Sequence, residues 1–263
     1  MRLTLVVTTY ERPDALAAVL TTVAAQSQFP HELIVADDGS GAVTRAIIQR
    51  FAAVVPFATH HIRQDHDGFR AARVRNLAIA KATGDYIIFV DGDMLLHPAF
   101  VADHGGFARR GTFTQGIRIP LDARRTAQAL ASPAELPALT MGGAGGLRSL
   151  YAVHAPKSSR VWRTVANGFI AVKSCNLAVW RDDLVAVNGF NHDFVGWGPE
   201  DKELVARLQH HGIRRQTLLF GGIAYHLHHP PAQRNRLSAN EAILANTRAR
   251  RLVRCQNGLH GVL

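Results

Sequence analysis

The sequence Asp91-Gly92-Asp93 carries side chains that could support catalysis, and it directly follows the apolar run Tyr86–Val90. Two carboxylates two residues apart can share one divalent cation, and the glycine between them lets a ligand approach closely. Mg²⁺ and Mn²⁺ favour such oxygen ligands and usually also take substrate phosphates. The tripeptide is equally typical of a solvated turn, so its place in the fold decides between the two interpretations.

Two further clusters contain side chains that bind nucleotides or metals. The segment Asp37–Ser40 has two aspartates that can accept hydrogen bonds from a ribose or a base, although such residues also form turns and cap helices. The segment His226–His229 has three histidines, whose imidazoles suit a transition metal such as Mn²⁺ better than Mg²⁺. A surface histidine cluster without a metal would look the same in the sequence.

The segment Trp197–Asp201 is the most unusual part of the chain, because an aromatic residue precedes two carboxylates at a predicted helix start. An indole face suits stacking on a sugar ring. A carboxylate at a helix N-terminus is stabilised in its charged form, so Asp201 could act as an ionised general base. The alternative is a helix cap with Trp197 in the core.

The elements that must position these clusters alternate between strand and helix in the first half of the chain. That alternation predicts right-handed crossovers, a mostly parallel sheet and ligand binding beyond the carboxyl ends of the strands. The predicted elements are strands Leu3–Thr8, Leu33–Ala36, Phe57–Ile62 and Tyr86–Val90, a helix from Pro13, and helices Val43–Phe51 and Arg73–Ala82.

The second half is less regular. The predicted elements there are strands Thr112–Ile119, Phe169–Lys173, Thr217–Phe220 and Ile223–His226, and helices Asp182–Val187 and Pro199–His211. Residues 121–165 are predicted to be an irregular insertion around the run Gly142–Gly146. We expect one α/β domain over residues 1–232, with a nucleotide-binding half at 1–95 and an acceptor and metal half at 96–232. Residues 233–263 are expected to form a basic, partly helical tail.

Composition limits the function classes. The formal net charge is +10 and the chain has two cysteines, which fit a reducing compartment rather than a disulfide scaffold. No apolar stretch of about 18 residues and no signal peptide pattern occur, so we expect a cytoplasmic protein. The charge favours contact with a phosphorylated acceptor or an anionic membrane surface. Nucleic acid is not an expected partner, because no zinc-finger spacing or RNA-recognition signature occurs.

These clusters, in this order, resemble the family 2 glycosyltransferases with the GT-A fold, a Rossmann-like sheet flanked by helices with a smaller acceptor-side region. The later segments resemble the C-terminal module of the β-1,4-galactosyltransferases and chondroitin-polymerase-type enzymes. The resemblance spans roughly residues 3–230, and the segments that carry it are Val6–Arg12, Ile34–Ser40, Ala72–Asn76, Gly84–Asp93, Asn188–Phe190 and Gly196–Asp201.

The resemblance implies a role for each matching residue. The donor nucleotide, diphosphate and sugar would contact residues from the first half: Thr8, Tyr10, Glu11, Asp37, Arg75, Asn76, Asp91 and Gly92. Mn²⁺ or Mg²⁺ would be held by Asp93 and by two histidines spaced three apart, His226 and His229, with His228 leaving the choice of imidazole open. Asp201 would be the general base with Glu200 beside it, and Trp197 and Gly198 would contact the acceptor.

The implied reaction is an inverting transfer of a hexose from a nucleotide sugar, a UDP-sugar by family habit, to a glycan or glycolipid acceptor. The charge and the family suggest bacterial surface polysaccharide or lipopolysaccharide synthesis. One alternative is a nucleotidyltransferase acting on sugar phosphates, but the loop Thr8–Pro13 lacks the glycines such enzymes need after the first strand. The other is an inactive sugar-binding module, against which the presence of Asp93 and Asp201 argues.

Overall fold

A seven-stranded, mostly parallel sheet forms the centre of the protein in a computed structural model, which describes residues 1–133, 151–164, 171–231 and 234–262. Its strand order is β3-β2-β1-β4-β8-β6-β9, and only β8 runs antiparallel to its neighbours. A smaller sheet has the order β5-β10-β7. The strands are β1 Leu3–Thr9, β2 Glu32–Asp37, β3 Ala58–Arg63, β4 Tyr86–Asp91, β5 Met94–Leu96, β6 Thr112–Gln115, β7 Arg118–Pro120, β8 Asn176–Trp180, β9 Arg214–Thr217 and β10 Ala224–His226.

Helices lie on both faces of the large sheet. They are α1 Pro13–Ala24, α2 Ala42–Ala52, α3 Ala71–Lys81, α4 Phe100–Phe107, α5 Ala123–Ala131, α6 Ser159–Trp162, α7 Arg181–Ala186, α8 Glu200–His210 and α9 Leu237–Ala249. No helix within the described residues is long and apolar enough to cross a membrane.

The continuous apolar character of the central strands follows from burial on both faces. Leu5 and Val7 of β1 pack into the core on one side of the sheet, whereas Val6 between them packs into the core on the other. Successive side chains of a strand alternate between faces, so a strand covered on both sides needs apolar residues at every position. The prediction of a mostly parallel α/β sheet flanked by helices is therefore confirmed.

The first-half elements predicted from the sequence all form, within two residues of their predicted bounds. The register of the strands places their polar ends together, because Thr8 lies opposite Asp91 and Thr9 lies opposite Asp37. Pro13 stands at the start of α1, where its missing N–H costs no helical hydrogen bond.

The prediction of one strand over Thr112–Ile119 is wrong. The chain leaves β6 after Gln115, turns at Gly116 and enters β7 in the other sheet. A Cβ at residue 116 would lie only 2.2 Å from the side-chain oxygen of Asn176, so the turn needs a glycine there. The residues on both sides of Gly116 favour β-structure, so the sequence gives no sign that the chain passes from one sheet to the other there.

The predicted strand Thr217–Phe220 is displaced, since β9 covers Arg214–Thr217 and Phe220 has a positive φ of 62°. β9 lies at the edge of the sheet, where part of the strand is exposed to solvent and arginines are tolerated. Because of these arginines the sequence lacks the apolar pattern that predicts a strand. The prediction of a strand over Phe169–Lys173 is also wrong for the residues of that range that the structure describes. Residues 171–173 are irregular, residues 165–170 lie outside the described residues, and β8 follows instead.

The predicted insertion at 121–165 is not wholly irregular, because α5 and α6 lie within it. Asp122 caps α5 by accepting a hydrogen bond from the N–H of Arg125 at 2.8 Å. The run Gly142–Gly146 lies outside the described residues. β5 and α4 were not predicted, because both are short.

The C-terminal residues pack on the main body. The buried Leu259 belongs to one core, and the side-chain amide of Asn188 donates to the carbonyl oxygen of Cys255 at 2.9 Å. The predicted boundary between residues 232 and 233 falls outside the described residues, so the division into a domain and a tail stays a prediction.

Candidate active site

A cleft of about 570 Å³ opens where β1 and β4 end. Its walls come from the loop after β1, the Asp91–Asp93 turn, the residues before β8, the start of α8 and the residues after β10. The predicted site residues that line it are Thr8, Tyr10, Arg75, Asp91, Gly92, Asp93, Trp197, Gly198, Glu200, Asp201, His226 and His229.

Arg75 links the start of α8 to the ends of β1 and β4. Its guanidinium is buried and donates to Thr8 Oγ1 at 3.2 Å, to Glu200 Oε1 at 3.1 Å and to Asp91 Oδ1 at 3.0 Å. The planar guanidinium can serve three oxygens at once because its donors point in fixed directions. Arg75 therefore fixes the start of α8 against the ends of β1 and β4.

Asp93 and two histidines converge at one end of the cleft. Asp93 Oδ2 lies 3.3 Å from His229 Nε2 and 3.6 Å from His226 Nε2, and the two imidazole nitrogens are 3.3 Å apart. Candidate ligand atoms of the three residues all lie within 4.8 Å of one another. His228 is exposed instead, and its backbone N–H donates to Thr126 Oγ1.

The small sheet causes this convergence. β10 pairs antiparallel with β5 and places His226 opposite Met94, and the N–H of Leu227 donates to the carbonyl oxygen of Asp93 at 3.0 Å. Two segments far apart in the sequence are thereby held side by side by backbone hydrogen bonds. His229 follows after three residues and reaches the same carboxylate.

This cluster fits a divalent metal ion. Asp93 Oδ1 is buried and has no hydrogen-bond partner within the described residues. A buried polar atom without a partner costs free energy, and a bound cation would remove that cost. Burial, and then Arg118, lower the pKa of His226 to about 3, so its imidazole is neutral and keeps a lone pair for a metal. Burial and nearby Asp91 raise the pKa of Asp93 to about 6.

Glu200 and Asp201 occupy the first turn of α8. Asp201 Oδ2 accepts from the backbone N–H of Ser174 at 3.1 Å, and Oδ1 accepts from that of Lys202 at 2.7 Å. Burial nevertheless raises the pKa of Asp201. Burial also raises the pKa of Glu200, to about 7, against the opposing charge of Arg75.

Trp197 and Gly198 form the rim of the cleft beside these carboxylates. The indole is 38% exposed, and the guanidinium of Arg234 lies 4.6 Å from its ring centroid. On the opposite side, Tyr10 is half exposed and stacks on His66 with 4.1 Å between ring centroids. Both aromatic side chains are thus available at the surface of the cleft.

Comparison with known proteins agrees with this geometry. Residues 4–126 match the model of glycosyl transferase family 2, and residues 166–230 match a model described as the N-terminal domain of galactosyltransferase. The first half of the chain is therefore similar to glycosyl transferase family 2. The two matches contain all the cleft residues predicted from the sequence.

The curated relatives that this chain matches are longer proteins, and the chain spans about a quarter to a half of their length. A hyaluronan synthase of Pasteurella multocida is 28% identical over 248 residues, which are 89% of this chain and 25% of the synthase. The mannosyltransferase PcManGT from Pyrobaculum calidifontis, solved with GDP-Man and Mn²⁺, has a TM-score of 0.59 at 19% identity, covering 86% of this chain and 56% of that one. S. aureus TarS 1–349 in complex with UDP has a TM-score of 0.64 at 16% identity, covering 94% and 65%. The two structures confirm the GT-A fold.

Three residues predicted to bind the donor lie off the cleft. Asp37 is fully buried, and its carboxylate is occupied by the N–H groups of Gly39 and Ser40 and by His61 Nε2 at 2.8 Å. The next residue, Asp38, lines the cleft instead. Asp37 therefore shapes the loop that presents Asp38.

Glu11 and Asn76 also hold loops in place. Glu11 Oε1 accepts from the backbone N–H of Gly41 at 2.7 Å. The buried Asn76 donates from Nδ2 to the carbonyl oxygen of Phe190 and accepts that residue's N–H at Oδ1. A buried amide with backbone partners on both sides fixes the loop it touches.

Sequence reasoning missed cations that line the cleft. Arg12 NH1 lies 3.3 Å from Asp93 Oδ2, and Arg118 and Lys173 line the same cavity. Arg12 lies within a segment that resembles the family, so that segment contained a signal for it. Arg118 and Lys173 lie in segments whose strands were wrongly predicted, and no local pattern indicated their position.

Proposed function

We propose that this chain transfers a sugar from a UDP-sugar to a hydroxyl group of a glycan or glycolipid acceptor, with inversion at the anomeric carbon and a divalent metal ion as cofactor. The observation that carries the proposal is that one cleft contains both the Asp93, His226 and His229 cluster and the carboxylate of Asp201. A metal site and a general base in one cavity suit displacement at a sugar attached to a diphosphate.

The donor would enter between the ends of β1 and β4. Thr8, Tyr10 and Asp91 line that part of the cleft and offer hydrogen-bond partners for a nucleoside. A side chain at position 92 would collide with Thr9, since a Cβ there would lie 2.9 Å from Thr9 Oγ1. UDP in the TarS complex and GDP-Man in the PcManGT complex support a nucleotide-sugar donor.

Asp93, His226 and His229 would hold Mn²⁺ or Mg²⁺, and the imidazoles favour Mn²⁺. When bound, the ion supplies Lewis-acid stabilisation of the charge on the leaving diphosphate. Mn²⁺ in the PcManGT structure supports this cofactor. Arg12 and Arg118 add positive charge beside the carboxylate of Asp93, which favours a polyanionic group at that end of the cleft.

In the proposed mechanism, Asp201 removes the proton from the acceptor hydroxyl group. The acceptor oxygen forms a bond to the anomeric carbon while the bond to the diphosphate oxygen breaks on the opposite face. One displacement inverts the configuration, so an α-linked donor gives a β-linked product. The N–H groups of Ser174 and Lys202 fix the carboxylate of Asp201, so little reorganisation precedes proton transfer.

Glu200 and Arg75 serve as support in this proposal. Their ion pair holds the first turn of α8 against the donor-binding loops, so the base and the donor keep one relative position. Trp197 would stack on a sugar ring of the acceptor, with Gly198 beside it. The relative named hyaluronan synthase supports a glycan acceptor. As the pathway we propose bacterial surface polysaccharide or lipopolysaccharide synthesis. The net charge of +10 favours peripheral contact with the anionic inner face of the membrane, on the cytoplasmic side.

A thermal-shift panel of UDP-, GDP- and dTDP-sugars, each with Mn²⁺ or with EDTA, tests the proposal. A ligand that binds only the native state raises Tm, so the donor should stabilise the protein with Mn²⁺ and lose that effect with EDTA. Release of UDP from the stabilising donor then distinguishes an enzyme from a sugar-binding module. Pyrophosphate release from UTP and a sugar phosphate would indicate a nucleotidyltransferase and contradict the proposal.

A further inference from the structure

The C-terminal helix α9 is hydrogen-bonded to the loop that carries Trp197. Asn240, which is 1% exposed, donates from Nδ2 to the carbonyl oxygen of Trp197 at 3.0 Å and to that of Val195 at 3.1 Å. One buried amide therefore satisfies two carbonyl groups of an irregular segment. Such a segment would otherwise lose its hydrogen bonds to water without replacement.

Gly198 shows how closely the loop approaches this helix. A Cβ at position 198 would lie 2.5 Å from Asn240 Nδ2 and 2.7 Å from Asn240 Cβ. The absence of a side chain at 198 thus lets the backbone of the loop rest directly on Asn240. This contact fixes the backbone from which the indole of Trp197 extends.

The other end of α9 is fixed to α8. Thr247 Oγ1 donates to Glu203 Oε1 at 3.0 Å, and Glu203 forms a fully buried ion pair with Arg207 at 2.7 Å. α9 consequently contacts the Trp197 loop near its start and the body of α8 near its end. Asp201, in the first turn of the same α8, is held relative to Trp197 by one rigid support.

Arg234 extends this support into the cleft. It precedes α9, lines the cavity, and places its guanidinium 4.6 Å from the indole centroid of Trp197. A guanidinium over an indole face is attracted by the ring quadrupole and limits rotation of the ring. The C-terminal segment thus contacts Trp197 at two places. Asn240 binds the backbone carbonyl group of Trp197, and Arg234 packs against its indole ring.

We infer that Asn240 and Arg234 position Trp197 for the acceptor, so that the C-terminal segment forms one wall of the acceptor side of the cleft. That the ligand is a sugar acceptor rests on the proposed function. The contacts of Asn240 and Arg234 with Trp197 do not depend on that function. Asn240 is a positioning residue, because it acts through the loop and does not line the cleft itself. Loss of Asn240 should weaken acceptor use and leave the donor side unchanged.

¹⁹F NMR of full-length protein labelled with 5-fluorotryptophan measures the position of Trp197. The three tryptophans give three resonances, and Trp197→Phe assigns the relevant one. Asn240→Ala should shift or broaden the Trp197 resonance and leave those of Trp162 and Trp180 in place. The control is Asn246→Ala, the same residue type on the exposed face of α9, which should change none of the three.

Arg234→Ala gives a second variant that keeps the fold, because Arg234 is exposed. It should also move the Trp197 resonance. If that resonance is unchanged in both Asn240→Ala and Arg234→Ala, the inference is wrong. Because NMR needs no turnover, this result stays separate from any failure of the proposed function.

Kinetics distinguish positioning for the acceptor from general loosening. With p-nitrophenyl β-glycosides as acceptor probes, Asn240→Ala should raise KM for the glycoside at least fivefold and keep KM for the nucleotide sugar within twofold. Equal increases in both KM values would contradict a role on the acceptor side. Binding of UDP with Mn²⁺ by Asn240→Ala should equal that of the wild type, and a loss of that binding would likewise overturn the inference.

Discussion

Replacing Arg75 with methionine should destabilise the protein strongly, and the loss should depend on pH. Methionine keeps much of the volume but removes the partner of Glu200 and Asp91. Removing one partner of a buried ion pair costs about 3–5 kcal/mol, because the other charge stays buried and unpaired. Asp91 is 36% exposed and is screened by water, so most of the cost comes from Glu200, whose side chain is 12% exposed.

The dependence on pH follows from the raised pKa of Glu200. Burial raises this pKa from 4.5 to about 7 even with Arg75 present, and removal of Arg75 raises it further. A group whose pKa is raised on folding stabilises the native state below the unfolded pKa, and that stabilisation is lost as pH rises through the folded pKa. The cost of Arg75→Met should therefore be largest near pH 8, and it should shrink towards pH 5.5, where Glu200 can become neutral by binding a proton.

Urea unfolding at these two pH values measures the difference. We expect a loss of about 3–5 kcal/mol at pH 8, equivalent to a Tm decrease of roughly 6–20 °C for a chain of this size. Arg110→Met is the matched control, because its ion pair with Asp182 is exposed and should contribute less than about 1 kcal/mol. A loss below about 1 kcal/mol for Arg75→Met at pH 8, or an equal loss at both pH values, would refute this account of the ion pair.

Three further predictions concern the chemistry. Asp201→Asn should reduce the transfer rate by about 10²–10⁴-fold and keep UDP affinity with Mn²⁺ within twofold by calorimetry; equal losses of both would contradict its role as base. Asp93→Ala should weaken Mn²⁺-dependent UDP binding by about tenfold or more, and an affinity that is identical with Mn²⁺ and with EDTA in the wild type would remove the metal assignment. Because burial raises the pKa of Asp201 and the base must be ionised, kcat should fall as pH decreases through that raised pKa. A profile that stays flat down to about pH 4 would argue for another base.

The sequence predicted the first half of the fold because burial on both faces leaves a strong local signal. Strands such as Leu3–Thr9 are apolar throughout, and Pro13 marks the start of the following helix. The second half has no such signal. β9 is an edge strand containing two arginines, and the turn at Gly116 depends on the side chain of Asn176, which is distant in the sequence.

The sequence predicted most residues of the candidate site, but it did not predict which atoms they contact. Spacing favoured two of three histidines, but the exclusion of His228 depends on the register of β10 against β5. The resemblance implied donor contacts for Asp37, whereas its carboxylate is occupied by the loop that it shapes. The support of Trp197 by Asn240 joins segments that no local pattern connects.

The pairing of β5 with β10 also sets the order in which the protein becomes functional during synthesis. Asp93 leaves the ribosome long before His226 and His229, which the small sheet brings beside it. A nascent chain that has completed only the predicted nucleotide-binding half therefore still lacks two of its three candidate metal ligands. A truncated product that ends before His226 would keep Thr8, Tyr10 and Asp91 but not this set of ligands.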